Sequence, residues 1–88
     1  MLEIKYSEKA SKQLIKLAKS NSNDVKRILQ AIENYAMNPL QKHDVKLLKG
    51  KWGDFKRLRV GSYRVIFDNE NNIMFVYEVK QRKDSYND

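Results

Sequence analysis

Residues 55–67 read Phe55-Lys56-Arg57-Leu58-Arg59-Val60-Gly61-Ser62-Tyr63-Arg64-Val65-Ile66-Phe67, and the way this stretch divides decides the fold. Two alternating runs flank Gly61-Ser62. Glycine in the first of two loop positions suits a type II′ turn, whose twist matches that of a β-hairpin. With Gly61 and Ser62 as the loop, Val60 faces Tyr63, Arg59 faces Arg64 and Leu58 faces Val65. Alternation then puts Leu58, Val60, Tyr63, Val65 and Phe67 on one face and Arg57, Arg59 and Arg64 on the other. Like charges directly opposite on a sheet are destabilising, so this arginine face gains no stability from its own arrangement. An anion arriving there reverses the sign, and the hairpin is the expected functional core.

Working outward, Leu2–Tyr6 alternates and predicts a first or edge strand. Ser7 predicts the N-cap of a helix from Glu8 to about Lys19. Ala10, Leu14, Leu17 and Ala18 form its apolar stripe, and Lys9, Lys12, Lys16 and Lys19 lie mostly off it; these lysines read as a solvated face before an RNA-facing ridge. After the polar break Ser20–Asn23, with Asn23 or Asp24 as cap, Val25, Ile28, Leu29, Ile32, Tyr35 and Ala36 keep the helical period. Pro39 ends that helix at about Met37. Leu40–Trp52 reads as irregular, with a short extended piece at Val45, Leu47 and Leu48. His43 in this loop is expected to be a surface residue, and Trp52 to pack on the sheet edge. Beyond the hairpin, Asp68–Asn72 predicts a turn and Ile73–Val79 a central strand, apolar on both faces. The sum is one α+β domain over residues 1–88: a twisted, mostly antiparallel sheet of about four strands, with a helical hairpin on one face and an open basic face opposite.

Composition narrows the function. At 88 residues the chain has room for one modest core. It has no cysteine, so disulfides and thiolate metal sites are excluded, and a cytoplasmic protein is expected. The longest apolar run, Ile73–Tyr77, is too short to span a bilayer, and the N-terminus lacks the apolar region of a signal peptide, so no membrane partner is expected. The net charge of +7 favours a polyanionic or acidic partner. Residues 1–50 carry nine lysines and one arginine, whereas 51–88 carry four of each. Arginine's planar fork suits bidentate phosphate contacts, which points to the second half of the chain.

Glycine-rich phosphate loops, zinc-ligand spacings and a serine–histidine–acid set are missing, as is the acidic cluster of a two-metal nuclease, and no cofactor or metal is expected. What remains is cationic: Lys56, Arg57, Arg59 and Arg64, with Lys80, Arg82, Lys83 and Tyr86 towards the C-terminus. This inventory suits metal-independent RNA cleavage by attack of a 2′-hydroxyl on its neighbouring phosphate, where fixed guanidinium groups stabilise charge on the phosphoryl oxygens. A proton acceptor and donor are also needed, and Tyr86 and Lys56 are the candidates, since arginine holds its proton too tightly. Surrounding cations should draw a tyrosine down from its usual pKa of about 10; Tyr86 could equally stack on a base. Taken by themselves, these residues support plain RNA or acidic-protein binding ahead of cleavage.

Lys46-Leu47-Leu48-Lys49-Gly50, the Gly61-Ser62-Tyr63-Arg64-Val65 segment and Arg82-Lys83-Asp84-Ser85-Tyr86 together resemble the RelE/ParE superfamily of toxin–antitoxin toxins, over nearly the whole length. The resemblance implies a ribosome-dependent endoribonuclease that cuts mRNA in the decoding site. It implies catalytic roles for Arg64, Arg82, Tyr86, Lys56 and Arg57, with RNA contacts from Arg59, Lys80 and Lys83. It further implies a RelB-like cognate antitoxin, and operator DNA bound only through the antitoxin complex. Many relatives carry histidine where this chain has Gln81: a chain that cuts RNA then resembles the subgroup working without a catalytic histidine, whereas a requirement for histidine implies an inactive protein or the ParE-like branch. The ParE-like branch, which inhibits DNA gyrase, shares the fold and generally lacks the full basic set; Arg64, Arg82 and Tyr86 together favour the RelE branch.

Overall fold

The computed structural model describes residues 1–48 and 55–81. The elements run β1 (Glu3–Tyr6), α1 (Glu8–Ser20), α2 (Ser22–Met37), β2 (Val45–Leu48), β3 (Phe55–Val60), β4 (Tyr63–Glu70) and β5 (Ile73–Gln81). The sheet has five strands in the order β1-β5-β4-β3-β2, with β1 parallel to β5 and the other pairs antiparallel. The expectation of about four strands is corrected by Val45–Leu48, which does more than extend: it pairs with Phe55–Leu58 as an edge strand.

The hairpin registers as its sequence demands, with Val60 opposite Tyr63, Arg59 opposite Arg64 and Leu58 opposite Val65. Gly61 has φ +59° while Ser62 is not in the left-handed region, the type II′ pattern. A Cβ at Gly61 would meet open space, so conformation rather than room requires the glycine. The next turn is tighter than expected. Strands β4 and β5 continue to Glu70 and from Ile73, leaving Asn71 (φ 55°) and Asn72 (φ 64°) as a type I′ loop in place of a turn over Asp68–Asn72.

Both helices lie on one face. Phe67, Ile28, Ile32, Met74, Val65 and Val76 are fully buried at the centre, and Tyr35 meets Phe67 edge-on at 4.9 Å. A β-bulge on β5 changes which residues reach this core: Phe67 pairs with Val76 and Ile66 with Glu78, so Tyr77 is the extra residue. Met74 and Val76 face the helices before the bulge and Val79 after it. The odd-numbered Ile73, Phe75 and Tyr77 are thereby left on the open face, which is why the strand reads as apolar on both sides.

Two helix expectations change in detail, and the lysine face stays as expected. Ala18 is exposed, and Gln13 turns toward the sheet instead, its Oε1 accepting from Val79 N at 2.8 Å. Asn21 caps α2, ahead of both expected candidates, because its side chain accepts from Asp24 N and donates to the Asp24 carboxylate at 2.7 Å. Lys9 and Lys12 are paired with Glu78 and Glu8, so they belong to the fold's own surface. Ser7 caps α1 as expected, accepting from Ala10 N at 2.9 Å and also donating to Tyr77 O at 2.6 Å. Ser7→Ala removes both bonds, one of them to a β5 carbonyl beyond the end of β1. It should cost about 1–2 kcal/mol in urea denaturation, with an unchanged m-value. No described helix is long and apolar enough to cross a membrane.

Candidate nucleic-acid interface

The face of the sheet away from the helices carries the arginines, and the register explains their grouping. Arg57 lies opposite Ile66, Arg59 opposite Arg64, and Arg64 opposite Lys80 on β5. Arg59, Arg64 and Lys80 therefore form one row across three strands, with Arg57 two residues along from Arg59 on β3. Arg57 and Arg64 are buried, at 6% and 8% exposure, while Arg59 is exposed. Burial restricts the motion of a long side chain, so the two inner guanidinium groups are held where the strands put them.

Sequence reasoning missed an acid beside this row. Asp44, just before β2, lies 3.8 Å from Arg57 Nη2 and 4.0 Å from Arg59 Nε, and its carbonyl accepts from Arg59 N at 3.0 Å. Those carboxylate distances exceed hydrogen-bond length and Asp44 is exposed, so it moderates the positive field without neutralising it. Nothing in the local sequence marks Asp44, because the β2–β3 pairing brings it there.

Lys56 falls on the other face of β3. The β3 register is regular, with Lys56 opposite the buried Phe67, so Lys56 stands on the helix-bearing face, across the strand from Arg57. Adjacent residues of an unbulged strand cannot share a face. Gln81, the position where relatives carry histidine, pairs with the buried Tyr63 and also falls on the helix side, whereas Lys80 is on the arginine side. Arg82, Lys83 and Tyr86 lie outside the described residues, as do Lys49, Gly50 and Trp52.

A polar network secures the hairpin tip from behind. The Tyr63 hydroxyl donates to Asp24 Oδ2 at 2.8 Å, and Arg27 binds the same carboxylate. The Arg27 and Tyr63 hydrogen bonds hold the Asp24 carboxyl below its ordinary value of 3.8, while burial, then Asp24, pushes the Tyr63 hydroxyl up. A carboxylate with a depressed folded pKa stabilises the fold above its unfolded pKa and loses that contribution as pH falls through the folded value. The stability difference between wild type and Asp24→Asn should thus stay level near neutrality and shrink below about pH 4. Denaturant titrations from pH 7 to pH 2.5 measure this, and a difference that widens in acid would contradict it. His43 is a loop staple, bonded through Nε2 to Asn38 O at 2.7 Å and edge-on to Tyr35 at 5.1 Å.

The lower half of the open face differs from the basic groove expected. Phe55, Tyr77 and Phe75 cluster there, with ring centroids 4.9 and 4.7 Å apart, and Asp68 and Glu70 stand at its margin. Among the described residues no three His, Cys, Asp or Glu side chains gather as a metal-binding group. The face therefore offers fixed cations at one end and stacking surfaces with hydrogen-bond acceptors at the other.

A family model described as the ParE toxin of the type II toxin–antitoxin system parDE matches residues 4–86. No curated protein sequence matches the chain. Among solved structures, the archaeal RelE–RelB complex of Pyrococcus horikoshii contains a chain 27% identical, with 92% of this chain and 94% of that one covered and a TM-score of 0.69. A metal-bound toxin from Helicobacter pylori is 26% identical, covers 97% and 99%, and gives a TM-score of 0.77. The YoeB dimer of Staphylococcus aureus, 18% identical with 90% and 94% covered and a TM-score of 0.76, shares the fold.

Proposed function

Because the chain belongs to the ParE toxin family of type II toxin–antitoxin systems, within the RelE/ParE superfamily, we propose that it inhibits translation by cutting mRNA in the ribosomal decoding site. The observation that carries this reading is the convergence of Arg57, Arg59, Arg64 and Lys80 on one open sheet face, with two guanidinium groups buried. The mRNA 2′-oxygen bonds to phosphorus as the bond to the 5′-oxygen breaks. The 2′-hydroxyl proton goes to an acceptor, and the leaving oxygen takes one from a donor. Arg64 and Arg57 stabilise the phosphoryl oxygens, joined by Arg82, while Arg59, Lys80 and Lys83 hold the flanking backbone.

Tyr86 is assigned the proton transfer or the stacking contact. Lys56, on the opposite face, is left as a contact at the edge of the site. Tyr86→Phe should lower cleavage roughly 100-fold if the hydroxyl moves a proton and only a few-fold if the ring stacks. Primer extension in a reconstituted translation system tests the whole reading: cuts inside the decoding-site codon, absent without ribosomes, are the expected result. An intact message during inhibited translation would sink it.

A RelB-like antitoxin is the proposed partner, as in the RelE–RelB structure, with operator DNA reached through that complex and the cytoplasm as site of action. The family description favours a second reading, a ParE-like toxin that inhibits DNA gyrase through the same fold without cleavage. Gyrase supercoiling assays separate the two.

A further inference from the structure

The aromatic and acidic half of the open face has no role in phosphate chemistry, and its composition is specific. Asp68, Glu70, Ile73, Phe75 and Tyr77 line one recess of about 170 Å³. Tyr77 meets Phe75 at 4.7 Å with planes 41° apart, and Phe55 closes edge-on against Tyr77 from two strands away. Burial, then Asp68 and Glu70, pushes the Tyr77 hydroxyl up, which agrees with both carboxylates lying beside the ring. A cluster that only covered the sheet would gain nothing from two acids at its rim.

The recess adjoins the cations. Arg57 pairs with Ile66, and Asp68 is two residues farther along β4 on the same face, roughly 7 Å away at strand rise. The face carries cations at Arg57, Arg64 and Lys80 and, beyond Glu78, which lies opposite Ile66 and is paired with Lys9, two further carboxylates at Asp68 and Glu70 in the same rows as Phe75 and Ile73. A nucleotide has the complementary polarity, an anionic phosphate joined through a flat base to an edge bearing N–H donors. Carboxylates accept from such donors, and guanine alone among the RNA bases presents a ring N–H and an amino group side by side to one carboxylate.

We propose that this recess is a nucleobase subsite selective for guanine, stacking the base on Phe75 and Tyr77 and binding its donor edge with Asp68 and Glu70 while Arg57 and Arg64 hold the phosphate. The inference rests on the proposed function to the extent that RNA is the ligand of this face. An acidic-and-aromatic recess could also take a basic segment of a protein partner. The adjoining guanidinium groups would repel such a segment, which favours the nucleotide.

The test is titration of the full chain with guanosine, adenosine, cytidine and uridine 5′-monophosphates and with inorganic phosphate, followed by NMR. Guanosine monophosphate should bind roughly 10-fold tighter than uridine monophosphate, with the largest shifts on the Phe75 and Tyr77 rings. Asp68→Ala/Glu70→Ala should bring that ratio to about one and leave phosphate binding unchanged. Tyr77→Leu should weaken all four nucleotides while sparing phosphate. Equal binding of the four by wild type, or a ratio that survives the double substitution, overturns the subsite. So does a double variant that loses only antitoxin affinity, which would assign the recess to a protein. The titration needs neither ribosome nor cleavage, so the two claims fail separately: cleavage without guanine preference removes the subsite alone, and guanine preference without cleavage removes the enzymatic reading alone.

Discussion

Arg64→Ala is expected to reduce ribosome-dependent mRNA cleavage by at least 100-fold while leaving the domain folded and able to bind its antitoxin. Removing one preorganised donor from a developing oxyanion costs about 10²–10³ in rate in better-known enzymes, and Arg64 lies at the centre of the cationic row. Its register neighbours are Arg59 on one side and Lys80 on the other, so alanine relieves a like-charge contact on both flanks. Against that stands the packing of a side chain only 8% exposed. The two effects oppose each other, and the net change in stability should stay within about 1 kcal/mol. Arg64→Lys keeps the charge and loses the bidentate fork, so its cleavage should fall between the two. The same row predicts a signature independent of catalysis: phosphate or sulfate should raise the melting temperature of wild type more than that of Arg64→Ala, because anions bind the folded row and not the unfolded chain. Primer extension and thermal melts on matched samples read both effects. An Arg64→Ala protein that cuts at wild-type rate would remove the arginine row from the mechanism.

How much of this was legible without coordinates follows from the range over which each signal acts. Turn chemistry and alternation are local, so the Gly61-Ser62 hairpin, its register and the division of Val65 from Arg64 could be read from thirteen consecutive residues. The Ser7 cap and the α2 stripe are likewise local. Failures of reading came where partners are distant or alternation is interrupted. Asp44 reaches Arg57 only through an edge strand whose short run gave little signal. The bulge at Tyr77 moves aromatic residues to the open face, and no periodicity announces an inserted residue. Lys56 is the opposite case: alternation already separated it from Arg57, and an inventory of basic residues, reinforced by family resemblance, grouped the two despite it. The row at Arg59, Arg64 and Lys80 is geometric, whereas the roles of Arg82, Lys83 and Tyr86 rest on resemblance.

Val65→Asp should abolish the folded state at neutral pH. Val65 is fully buried, between Leu58 on β3 and Val79 on β5, both themselves buried. A carboxylate there loses its hydration and faces only apolar neighbours across both strand pairs, a cost of several kcal/mol, set against a total stability of roughly 5–15 kcal/mol for a domain. The group would rather stay protonated, which raises its folded pKa. The sign then follows: a raised folded pKa means stability that is fully present below the unfolded value of about 3.9 and is lost as pH rises through the folded value. The variant should therefore recover helical circular dichroism at about pH 4 and lose it by pH 7. Val65→Ala separates charge from lost volume, since it removes methyl groups without adding a polar atom and should cost only about 1–3 kcal/mol, leaving a folded protein at both pH values. A Val65→Asp chain that melts cooperatively at pH 7 like wild type would put Val65 on the solvent side of β4. In a strand with a period of two, that result would send Arg64 into the core and dissolve the cationic face on which the proposed chemistry depends.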